Sequence, residues 1–142
     1  MARGFTRSAA AALSALFLTG SALAAPAFAD SYKTAVFSGL DKITGRVSEF
    51  DAKVGEHARF GVLDILVRAC EKKPPEDPPQ TAAYVEIRQV DEQTGMTQEQ
   101  PIFSGWMFAE SPGLNALEHP VYDIWVDDCK AKVGETPSSG QQ

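Results

Sequence analysis

The stretch Arg59–Cys70, RFGVLDILVRAC, decides the fold. Leu63, Ile65, Val67 and Ala69 fall on one face at a period of two. Val62, Asp64, Leu66, Arg68 and Cys70 fall on the other. The first face is wholly apolar and belongs against a core. The second is mixed, as expected for a sheet covered fully on one side only. The stretch therefore reads as a β-strand of an antiparallel sheet.

Glu71–Gln80 (EKKPPEDPPQ) follows. Its four prolines exclude both helix and central strand, so it reads as a stiff, solvated connection. Ala82–Val90 alternates again, with Ala83, Val85 and Ile87 opposite Tyr84, Glu86 and Arg88. A polar loop turning at Gly95 joins it to Ile102–Ala109, which predicts a hairpin. Upstream, Ser31–Gly39 and Arg46–Val54 read as strands on either side of a turn containing Asp41 and Gly45. Downstream, Ser111 is a helix N-cap and Pro112 suits the first helical position. Leu114 and Leu117 would share one side of a short helix that Pro120 stops. Val121–Asp127 is the last strand. The expected fold is mostly β: a small antiparallel β-sandwich or partly open barrel with one short helix and one disulfide.

The N-terminal segment carries Arg3 and Arg7, an apolar run over Ala9–Leu18 too short to span a bilayer, and the small-x-small pattern Ala27-Phe28-Ala29. Residues 1–29 are expected to be a signal peptide cleaved after Ala29, which places the protein in the periplasm. Residues 30–129 then form a single β-rich domain, and 130–142 a disordered polar tail. No stretch after the cleavage site is apolar enough to cross a membrane. Two cysteines in an exported chain, Cys70 and Cys129, read as one disulfide. Closing that long a loop is worth about 4 kcal/mol in the chain-entropy model.

After Ala29 the chain holds eleven basic and nineteen acidic residues, a net charge of −8. Such a chain repels phosphate backbones and anionic lipid heads, so neither nucleic acid nor a membrane surface is an expected partner. With His57 and His119 as its only histidines and no HExxH pattern, the sequence implies no metal site and no cofactor. Ser111, His119 and Glu118 or Asp123 make a triad on paper, but no nucleophile elbow is present and Ser111 has a capping role. No catalytic residue is assigned.

The order LDKITGR, FGVLDILVRAC, a proline-rich loop, AAYVEI and FSGWMFAESPGLNALEHPVYDIWVDDC resembles the domain of unknown function 2155 family over Ala35–Cys129. That resemblance implies a small exported protein of the alphaproteobacterial envelope. It brings no catalytic residues to carry over.

Binding is the remaining reading. Trp125 shares a face with Asp123 and Asp127, opposite the core face, and a tryptophan so placed is a partner or sugar-ring anchor. Trp106 and Met107 are expected in the core. A Cys70–Cys129 bond would bring Arg68 beside Trp125 and Asp127. The candidate binding surface is thus Trp125, Asp123, Asp127, Arg68, His119 and Glu118. The expected role is a non-catalytic accessory or assembly component of an envelope protein complex. The alternatives are a small-ligand or glycan-binding protein using Trp125 or Trp106 and, third, an envelope hydrolase.

Overall fold

A computed structural model describes residues 29–134. The expected signal peptide up to residue 28 and the tail from 135 to 142 lie outside the described residues. Among the described residues there are eight strands: β1 (Asp30–Asp41), β2 (Arg46–Lys53), β3 (His57–Phe60), β4 (Leu63–Lys72), β5 (Thr81–Gln89), β6 (Phe103–Phe108), β7 (Leu117–Glu118) and β8 (Tyr122–Lys132). All their pairings are antiparallel.

The strands form two halves of one barrel-like sheet, β2-β1-β8-β7 and β3-β4-β5-β6. The halves join where Asp30 and Ser31 pair with Lys72 and Glu71. A single cluster of buried side chains fills the space between them. Phe37, Ile124 and Val126 come from the first half, and Leu63, Ile65, Val67, Val85, Ile87 and Met107 from the second. These are the period-two positions of each strand, which is why the alternation in the sequence marks the core.

Two devices fasten the halves. Phe37 of β1 stacks on Phe50 of β2 at 5.6 Å between ring centroids, and Phe50 stacks on Phe60 of β3 at 5.2 Å. Tyr122 of β8 then meets Phe60 edge-on at 5.5 Å. This aromatic row crosses from one half to the other near the Asp41 end of β1. Closer to the opposite end, the Cys70–Cys129 disulfide ties β4 to β8 across a Cα–Cα distance of 5.8 Å.

The cysteines reach the core by a route that strict alternation misses. Val67 pairs with Val85 and Ala69 with Tyr84, so Arg68 is an extra residue, a β-bulge in β4. Phe37 pairs with Val126 and Val36 with Asp128, so Asp127 is a matching extra residue in β8. Each bulge shifts the phase by one. Cys70 and Cys129 therefore turn inward, 1% and 2% exposed, instead of lying on the mixed outer face. Ala69, expected in the core, sits half-buried on the outside.

Other expectations need correction. Arg59–Cys70 is not one strand but a hairpin. Gly61 adopts φ 56° and, with Val62, forms a two-residue turn closed by the Phe60–Leu63 pair. No helix is present among the described residues. The Ser111–Leu114 segment makes one turn, with the Leu114 N–H donating to the Ser111 carbonyl. A single turn with Gly113 inside it does not repay helix nucleation. Leu117 leaves that segment to join β7 and is buried, whereas Leu114 is 79% exposed. Strand β8 runs to Lys132, past the expected domain end at residue 129, because β1 is long enough to pair with it from Tyr32 onward.

Candidate functional site

Outward-facing residues of β4, β5 and β6 form rows across the second half-sheet: Leu66–Glu86–Ser104, Ala69–Tyr84–Trp106 and Glu71–Ala82–Phe108. Trp106 is therefore on the outer surface and half-buried, not in the core, while its neighbour Met107 is in the core and 1% exposed. Tyr84 meets the Trp106 ring edge-on at 5.5 Å, and its hydroxyl lies 3.1 Å from Ser104 Oγ. A hollow of about 250 Å³ opens beside Trp106, lined by Glu71, Lys73, Gln80, Ala82 and Phe108. A second of about 400 Å³ continues it past Lys73, Gln80 and Phe108 to Pro78, Pro79 and Leu114.

Local chemistry holds the walls of this groove. The proline-rich loop is closed by the Lys73 N–H donating to the Gln80 carbonyl at 3.0 Å. The Glu110 carboxylate accepts the Thr81 N–H at 2.9 Å, which pins the turn after β6 to the start of β5. The Asn115 side-chain amide donates to the Trp106 carbonyl on the free edge of β6. Hydrogen bonds at both ends thus fix the loop and the turn that flank Trp106 and Phe108.

The other outer surface belongs to β2, β1 and β8. Trp125 lies there, half-buried, directly opposite Ser38 on β1. Asp123 pairs with Glu118 across β7–β8, and its carboxylate meets Lys42 Nζ at 2.7 Å. The same ammonium donates to the His119 carbonyl at 2.9 Å. Asp127 accepts the Ser38 hydroxyl. His119 anchors the turn into β8: its Nδ1 accepts the Val121 N–H at 3.2 Å and its ring stacks on Tyr122 at 5.9 Å.

Five of the six expected surface residues, Trp125, Asp123, Asp127, His119 and Glu118, thus gather on or beside one face. Arg68 does not join them. It stands on the outer face of the other half, where plain alternation puts it, while the bulge turns Cys70 away from that face. There its guanidinium donates from Nε to Glu86 Oε1 at 3.1 Å and from a terminal nitrogen to Oε2 at 3.3 Å. Arg88 adds a second cation to Glu86 at 3.3 Å. The Arg68 hydrogen bond, opposed by some desolvation and helped by the charge of Arg88, holds the Glu86 carboxyl below its usual range. The shared disulfide does not unite Arg68 with Trp125, because the cysteines point inward and these two side chains point outward from opposite halves.

Tyr84 and Phe108 are absent from the expected binding set, and Trp106 enters only under the ligand-binding alternative. Strand β6 is apolar on both faces, so its alternation alone does not say which side is core. The hairpin register would have supplied the answer. Tyr84 lies with Glu86 and Arg88 on the polar side of β5, and whatever faces Tyr84 across the hairpin must share that side.

Comparison with known proteins places the chain. Residues 35–129 match the model of a family described as an uncharacterized protein conserved in bacteria. The chain belongs to the domain of unknown function 2155 family. The family region starts in β1 and ends at Cys129, so it takes in both bulges, the disulfide and both tryptophans. An uncharacterized protein of Rickettsia prowazekii (strain Madrid E) is 31% identical over 103 residues. That alignment covers 70% of this chain and 62% of the relative's length. No solved structure matches.

Proposed function

We propose that this protein is a non-catalytic binding domain of the periplasm, acting as an accessory or assembly component of an envelope protein complex. The observation that carries the reading is the Tyr84–Trp106–Phe108 surface. Trp106 and Phe108 are turned away from the core into a groove whose walls are held by hydrogen bonds to the backbone, and Tyr84 braces the Trp106 ring edge-on. Rigid aromatic anchors on a preformed surface are what a partner-binding site needs. The N-terminal sequence pattern and a buried disulfide support export to an oxidising compartment.

Affinity capture of the tagged protein from envelope extracts tests this, run beside its Trp106→Ala variant. A partner retained by the parent chain and lost with the variant is the expected result. An identical set of proteins from both would overturn the reading.

One observation favours a second reading. The hollow of about 250 Å³ has a tryptophan in its wall and Glu71, Lys73 and Gln80 at its rim. That combination of an aromatic surface with convergent polar groups suits a small ligand or sugar unit. Binding to a defined glycan, abolished by Trp106→Ala, with no protein captured, would put this reading first.

A further inference from the structure

The outer face of β2, β1 and β8 has a fixed pattern of rows. Val47 and Leu40 stand beside Asp123, Glu49 and Ser38 beside Trp125, and Asp51 and Val36 beside Asp128. Trp125 is at the centre, with Val36 and Leu40 diagonal to it across Ser38. Val47 and Glu49 are exposed, and Ser38, Leu40 and Trp125 are half-buried. Val36 is buried, so the apolar surface open to solvent is Val47, Leu40 and Trp125.

Charge around this surface has one sign in excess. Asp123 is met by Lys42, Asp51 by Lys130 and Asp128 by Lys72. Among the described residues, no lysine or arginine reaches Glu49, Asp127 or Glu118, and all three are exposed. Asp127 keeps only the Ser38 hydroxyl. Glu49 and Asp127 lie on either side of Ser38, which itself faces Trp125. An aromatic ring framed by unneutralised carboxylates attracts a cation twice, through the face of the indole and through the carboxylates. The overall charge of the chain after Ala29 steers in the same direction.

We infer that this face docks a basic segment of a partner protein, with an arginine laid on Trp125 between Glu49 and Asp127. Arginine suits the site better than lysine. Its planar guanidinium stacks on an indole while its edge donates to a carboxylate, and it gives up its water more readily. The inference rests on reading the chain as a binding domain. It adds a second contact on the opposite half of the barrel from the Trp106 groove.

The test is a titration of the ¹⁵N-labelled, oxidised protein with a tetra-arginine amide peptide, followed through the two indole N–H resonances. The Trp125 resonance should move and saturate while that of Trp106 stays in place. Tetra-lysine should bind more weakly, and tetra-glutamate should leave both signals unmoved. Glu49→Gln with Asp127→Asn should weaken binding about fivefold. A control that removes the same charge elsewhere, Glu76→Gln with Glu92→Gln, should leave it near the parent value.

An unmoved Trp125 signal, or equal weakening by the control pair, would overturn the inference. Glu49→Gln alone, on an exposed strand position, gives the same decision without touching the Ser38 contact. A saturating Trp125 signal alongside a capture experiment that recovers nothing would sink the envelope-complex reading and leave this one standing. A captured partner that depends on Trp106, with tetra-arginine inert, would do the reverse.

Discussion

The tip of the Phe60 ring occupies the space where a side chain on Gly39 would begin: a Cβ at Gly39 would stand 2.4 Å from Phe60 Cζ. Gly39 thus lets β1 come close enough to β3 for the aromatic row to cross between the two halves. Gly39→Ala should force the ring aside and cost about 1–3 kcal/mol. Because Phe60 also contacts Phe50 and Tyr122, adding Phe60→Leu should cost much less in the Gly39→Ala background than in the parent. Urea unfolding of the two single variants and the double variant measures this.

Met107 and Trp106 are neighbours with opposite surroundings, so the smaller side chain should matter more for stability. Met107→Ala empties a fully buried site and should cost about 2–5 kcal/mol. Trp106→Ala removes an outward, half-buried ring and should cost about 1 kcal/mol. Equal losses in denaturant unfolding would contradict the placement of Trp106 on the outer face.

The disulfide joins residues 59 apart in sequence. Replacing both Cys70 and Cys129 by alanine should lower stability by about 4 kcal/mol. With both cysteines at 2% exposure or less, reduction of the native protein should be slow and should speed up with urea. Thiol trapping over time at rising denaturant checks the second point.

Arg68 predicts a pH effect of known sign. Its hydrogen bonds depress the Glu86 carboxyl in the folded state. The pair therefore adds stability above the ordinary glutamate range and loses it as pH falls through the lowered folded value. Arg68→Ala should raise the Glu86 pKa toward that range and flatten this part of the acid limb. NMR titration of the Glu86 side-chain carboxyl reads the shift directly, and an unchanged midpoint would contradict it.

Most of the strands were legible because their alternation is local. Leu63, Ile65 and Val67, then Ala83, Val85 and Ile87, announce their face without help from the rest of the chain. What escaped depends on contacts distant in sequence. The bulges at Arg68 and Asp127 exist only relative to a partner strand, so the phase change that buries both cysteines leaves no mark in one strand alone. Trp106 was misplaced for the same reason, since only pairing with Tyr84 separates the two apolar faces of β6. The Gly61 turn was a missed local signal: a glycine inside an alternating run. The outer-face position of Trp125 is legible because β8 alternates cleanly up to its bulge.

The paired bulges also give the disulfide a role as a check on assembly. A chain that aligns β4 or β8 without its extra residue places one cysteine on the outer surface and the other inside, where the two sulfurs do not meet. Only the alignment that contains both irregularities brings them together. Oxidation thus locks a register already reached, and deleting the extra residue itself, Arg68 or Asp127, would leave both cysteines in phase and keep the bond.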